Sequence, residues 1–151
     1  MPKYDEKFME LTGTLHAQNH PRFCFFPLLA LNKPNQDAFV SIPNFGDTEN
    51  CSLFGVFDGH GNVGDIVSIF SKNRLPRLLR DYIKNSGKPI NELSDKELQR
   101  IYTRSFVETN KKCHAAAFDD SLSGTTAITV LIIGKYLYVA NVGDSRAIIC
   151  R

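Results

Sequence analysis

The sequence contains no CxxC pair: its four cysteines, Cys24, Cys51, Cys113 and Cys150, are widely separated. That spacing excludes a zinc ribbon or a dithiol redox motif and fits free thiols in an intracellular protein. Nothing around any of the four lowers a thiol pKa, so a cysteine nucleophile is not expected. No apolar run approaches the ~18 residues that a membrane-crossing helix needs. The stretch 23–31 is short, contains Pro27 and follows a polar segment, which argues against a secretory signal. The chain opens with Met1 and Pro2, so the N-myristoylation pattern, which needs glycine second, is missing. Charge of one sign is also missing. The 18 basic and 16 acidic residues leave a net charge of +2, so neither nucleic acid nor a membrane is expected as a partner. Lys72, Arg74, Arg77 and Arg80 are spaced as the solvated face of a helix. Cytoplasm or nucleus is the expected location. There is no internal repeat, low-complexity tract or interdomain linker.

What is present is the composition of a globular domain: 42% hydrophobic and 23% charged residues over 151 positions, enough for a real core. Residues 1–30 read as a polar or partly ordered N-terminal segment. His16 and His20 within it are too weak a signal for a metal. AFVSI (38–42) and CSLFGVF (51–57) suit strands, the second apolar enough to be buried on both faces. Between them lies a polar loop, 44–50. After Gly61 the period changes to helical through Ile66, Phe70, Leu75, Leu78 and Leu79, with Pro76 predicting a kink or two abutting helices.

Ser94-Asp95-Lys96-Glu97 is a capping box. The helix it opens should run to about Ala117, with Leu98, Ile101, Tyr102, Ser105, Thr109 and Cys113 along one face. TTAITVLIIG (125–134) and YLYVANV (136–142) flank Gly134-Lys135 as a hairpin, and RAIIC (146–150) begins a further strand. Strands, then two long helices, then a strand meander predict an α+β fold.

Three acids stand at strand ends: Asp37 in NQDAF, Asp58 in FDGHG and Asp144 in VGDSR. Loops on a rigid sheet are where function concentrates. Hard divalent cations take carboxylate and carbonyl oxygens, and Asp58-Gly59 offers one of each. His60 beside them is a candidate proton donor. Asp-Gly and Gly-Asp-Ser are also ordinary turns; residue types alone favour a turn at each, and only the three acids and His60 taken together keep the metal reading open beside it.

NQDAF, FGVFDGHG, SGTTA (123–127) and VANVGDSRA (139–147) occur in this order. Together they resemble the N-terminal part of a metal-dependent type 2C serine/threonine protein phosphatase domain, over residues 31–151. The resemblance implies the N-terminal part of an αββα sandwich, two antiparallel sheets flanked by helices, and a centre of two Mg²⁺ or Mn²⁺ ions. By position it makes Asp58 the carboxylate bridging two metals and Gly59 a carbonyl ligand. Asp37 becomes the acid that holds metal-bound water, and Asp144 an acid of a further, weaker metal. His60 becomes the general acid for the leaving serine or threonine oxygen, and phosphorylated proteins the substrates. Gln36 stands where many members have Glu. Residues 123–126 are implied to be structural, packing the sheet below the site. The phosphate-binding Arg of many members falls near Asn32, and Lys33 is the nearest cation, able to act as a point charge.

Two further metal-binding Asp motifs of the family do not follow Asp144. The chain therefore reads as a truncated domain. A non-catalytic regulatory fragment, the phosphatase section of a larger signalling protein and a bacterial-type phosphatase acting on a regulator stay open beside the favoured phosphatase. The sequence predicts that the 151 residues alone release little phosphate from a phosphopeptide. A phosphate-release assay checks this, and a normal phosphatase rate contradicts it.

Overall fold

A computed structural model describes residues 35–150. Lys33, Asn32 and the N-terminal segment lie outside the described residues. In chain order come strand β1 (Ala38–Pro43), strand β2 (Cys51–Phe57), the two-residue strand β3 (Gly59–His60) and helix α1 (Gly64–Asn85). Helix α2 (Asp95–His114), strand β4 (Gly124–Thr125), strand β5 (Ala127–Ile133) and strand β6 (Tyr136–Val142) follow. Four strands form an antiparallel sheet in the order β1-β2-β5-β6, and β3 pairs with β4 in a second, two-stranded antiparallel sheet. The fold class is α+β, as the order of patterns predicts.

Alternation along each strand puts every second side chain on one face, and the register lines those faces up. Ile42, Leu53, Leu131 and Tyr138 form one row across the sheet. The neighbouring row is Val40, Gly55, Thr129 and Ala140. The first row and its neighbours Cys51, Phe57 and Ile133 pack with Leu75, Leu79 and Ile83 of α1 and with Leu98 and Tyr102 of α2 into a single buried core. Gly55 keeps its row closed: a Cβ there would sit 3.0 Å from Val40 Cγ1 and 3.3 Å from Thr129 Cγ2.

Several expectations change in detail. The 44–50 segment is not simply a polar loop, because Phe45 within it is fully buried and opens a short 3₁₀ turn, Phe45–Asp47. Pro76 does not divide the helix: α1 runs as one 22-residue element through it. An interior proline costs about 3 kcal/mol. Burying a Leu side chain contributes about 1.5–3 kcal/mol, and Leu75, Leu78 and Leu79 beside Pro76 are all buried, so packing holds the helix through the lost bond. Helix α2 ends at His114, three residues before the expected end, with Ala115 as its C-cap. Residues 146–150 form no strand. The chain leaves β6 through Gly143, whose φ of +99° turns it away, and with no neighbour among the described residues 146–150 have no ladder to join. Among the described residues β6 is thus an outer strand of its sheet, with Tyr136, Leu137, Val139 and Val142 exposed.

The capping box forms as its sequence predicts. Glu97 N donates to Ser94 Oγ at 3.4 Å, and Ser94 N donates to Glu97 Oε2 at 2.9 Å. Hydrogen bonds from Lys88 and then from Ser94 lower the Glu97 carboxyl to about 2. A depressed carboxyl stabilises above its unfolded pKa and loses that contribution as pH falls through the folded one. The contribution of the Glu97 carboxylate, to Lys88 and to its half of the capping box, is therefore full at neutral pH and lost between about pH 4.5 and 2. Ser94→Ala should cost about 1 kcal/mol, measured by urea unfolding at pH 7, and Glu97→Gln should flatten this part of the stability-against-pH curve.

Candidate metal centre

The site forms where β2 ends. Asp58 is clamped by Thr126, the residue just before β5. Asp58 N donates to Thr126 Oγ1 at 3.0 Å, and Thr126 N donates to Asp58 O at 2.9 Å. Thr126 Oγ1 also lies 2.6 Å from Ser145 Oγ. One buried threonine therefore joins the Asp58 backbone to the Gly143-Asp144-Ser145 bend.

The following turn is built around glycines that tolerate no side chain. A Cβ on Gly59 would collide with the carbonyl oxygens of Gly64 and Gln36. Gly61, at φ +88°, lies against the carbonyl of Leu122 and the side chain of Ser123. Ser123 Oγ accepts from Val63 N at 3.0 Å, where α1 begins without a side-chain cap of its own. Gln36 Nε2 donates to Gly61 O at 2.7 Å, and Ser68 Oγ of α1 donates to Gln36 O at 2.6 Å. β1, β2, α1 and the 123–126 segment thus meet on one turn.

On this frame Asp37 and Asp58 come together. Burial, the Asp58 charge and a side-chain hydrogen bond to Asp58 all raise the Asp37 carboxyl above its ordinary value. Two carboxylates in contact need a proton or a cation between them, and a hard divalent cation suits that donor set. Mg²⁺ in particular is held by one or two carboxylates with water completing its shell. The residues present fit such an ion to that extent. Among the described residues no group of three or more His, Cys, Asp or Glu side chains is placed to hold a metal. Asp144 stands exposed in its bend, outside any such group. His60 is exposed, and its ring lies against Gly124, where a Cβ would come 2.8 Å from Nε2.

Sequence reasoning missed the roles of Gln36, Ser68 and Ser145 in holding the turn. The NQD and GDS motifs mark where Gln36 and Ser145 lie but not what they bond. Residues 123–126 act as structure, as the resemblance implies, through hydrogen bonds as well as packing. Burial pushes the Cys51 thiol up to about 11, and burial with the Asp120 carboxylate raises Cys113, so neither is poised as a thiolate.

The protein phosphatase 2C family profile matches residues 29–151. "Probable protein phosphatase 2C 35" of Arabidopsis thaliana is 43% identical over 118 residues, 78% of this chain and 31% of its own length. "Probable protein phosphatase 2C 64" of Oryza sativa subsp. japonica is 35% identical over 116 residues, 76% of this chain and 26% of its own. Among solved structures, the serine-threonine phosphatase 2C of Toxoplasma gondii aligns with a TM-score of 0.57 at 24% identity, over 76% of this chain and 40% of that one. A bacterial serine phosphatase aligns at 0.55 and 25%, over 76% and 49%. The chain belongs to the protein phosphatase 2C family, a family of metal-dependent serine/threonine phosphatases. It spans about a third or less of the length of these two curated relatives.

The Asp37–Asp58 contact has a direct consequence for stability. A carboxyl whose folded pKa is raised favours folding at low pH and opposes it as pH rises through the folded value. Asp37→Asn should therefore raise the Tm of the metal-free chain at pH 7 by ~1–3 °C, measured by thermal unfolding in EDTA, with the gain vanishing at pH 3.

Proposed function

We propose that this chain supplies the N-terminal half of the active site of a phosphatase that hydrolyses phosphoserine and phosphothreonine in proteins, using Mg²⁺ or Mn²⁺. The observation that carries the reading is the contact between Asp37 and Asp58 on a turn clamped by Thr126, in a member of this family. Asp37 and Asp58 would hold the cation by their carboxylates and Gly59 by its carbonyl, with Asp144 serving a further ion. A divalent cation bound there supplies Lewis acidity toward a phosphate oxygen and lowers the pKa of a water. Water attacks phosphorus in line and gives up one proton to solvent, a new P–O bond forms, and the P–O bond to the serine or threonine oxygen breaks. His60, exposed on β3 and backed by Gly124, gives its proton to that leaving oxygen. Lys33 neutralises phosphate as a point charge. The rigid turn keeps Asp58 and His60 in fixed relation, so little ordering remains when substrate arrives.

A second reading, a regulatory fragment without turnover, is favoured by one observation: only two carboxylates meet among the described residues. Calorimetric titration of the purified chain with Mn²⁺ separates the two. The phosphatase reading expects weak binding that Asp58→Asn abolishes, together with phosphopeptide hydrolysis once a complementing C-terminal half is added. Binding unchanged by Asp58→Asn, or no hydrolysis after complementation, favours the regulatory fragment.

A further inference from the structure

A pocket of about 420 Å³ opens between the start of α2 and the β5–β6 hairpin. Ile90, Leu93 and Ile133 give it an apolar lining, and Tyr136, Tyr138 and Asp95 add two rings and a carboxylate. It lies at the far end of the sheet from Asp58. β5 begins next to Thr126 and ends seven residues later in the pocket, a span of roughly 20 Å. The phosphatase reading makes no use of it.

The polar groups here favour a cation. Asp95 Oδ1 accepts from the Tyr138 hydroxyl at 3.1 Å. The ion pairs among the described residues join Lys88 to Glu97, Lys112 to Glu108 and His114 to Asp120, which leaves Asp95 without a basic partner. The chain's own Lys135 Nζ lies 5.5 Å from the Tyr136 ring centroid, so a ligand cation there has to displace it or share the ring. An anion is disfavoured even though a helix begins here. Ser94 N and Glu97 N are both taken by the capping box, and the carboxylates of Asp95 and Glu97 stand at the same helix end. The apolar lining suits a hydrocarbon stem, and the rings suit a flat charged head. Guanidinium stacks on tyrosine and offers several N–H groups to a carboxylate, which an ammonium cannot match.

We propose that this pocket is a docking site for an arginine side chain presented by a protein partner. It would hold the partner at the end of the sheet remote from Asp58, so that binding and phosphate chemistry are separate. The test is an amide NMR titration of the 151-residue chain with Nα-acetyl-arginine methylamide. The citrulline analogue serves as a neutral isostere and Nα-acetyl-glutamate methylamide as an anion. The arginine probe should give saturable shifts at residues 91–95 and 136–138 and none at 58–60. Asp95→Asn, which keeps the capping box, should weaken binding by roughly tenfold. Tyr138→Phe keeps the ring and releases the carboxylate, so it should bind at least as well as the parent. Equal binding of citrulline, binding of the glutamate probe in place of arginine, or an unchanged affinity in Asp95→Asn would each overturn the proposal. Shifts of the same amides on raising protein concentration without probe would assign the pocket to a second copy and overturn it as well. Metal and phosphate are absent from this experiment, so its failure leaves the phosphatase reading where it stood.

Discussion

Asp58 and Thr126 exchange two hydrogen bonds across 68 residues of sequence, and much of the site's geometry depends on that exchange. It fixes the end of β2 against the start of β5, the two central strands of the sheet. It also fixes the turn that follows Asp58, whose glycines then come to rest on carbonyls and on the Ser123 side chain. Through Ser145 the same threonine reaches the bend that carries Asp144. A neutral hydrogen bond contributes about 0.5–1.5 kcal/mol net, so the clamp is modest in energy. Its effect is geometric: it puts a carboxylate at a defined place on a rigid edge.

The contact of Asp37 with Asp58 is the opposite kind of interaction, one that costs stability when nothing sits between the charges. Such conflicts concentrate where function is. Here the sheet supports the conflict from below. β1 pairs with β2 over the whole length of β1, from Ala38 opposite Phe57 to Pro43 opposite Ser52, and this pairing brings Asp37 to the end of β2.

Much of the fold was legible because its signals are local. The apolar run of 51–57 and the β-branched and aromatic run of 136–142 match both strands to the residue, and the capping box marked the start of α2. The departures came where a non-local term outweighed a local one. Pro76 argues for a break, yet buried leucines on either side carry the helix past it. The β-branched pattern of 146–150 argues for a strand, and no described neighbour pairs with it. At the site, motif spacing pointed to Asp37 and Asp58. The bonds of Gln36, Ser68 and Ser145 were not legible, because each joins segments whose proximity only the folded sheet creates.

The 68-residue span of the clamp also orders events in time. During synthesis at about 5–20 residues per second, Thr126 is added roughly 3 to 14 seconds after Asp58. Both helices are made in that interval, and β2 has only the β1 hairpin to pair with. Closing so long a loop is slow compared with forming the helices inside it. The carboxylate edge is therefore assembled late in folding. A nascent chain that has made the DGHG turn still lacks the geometry of the site until β5 arrives.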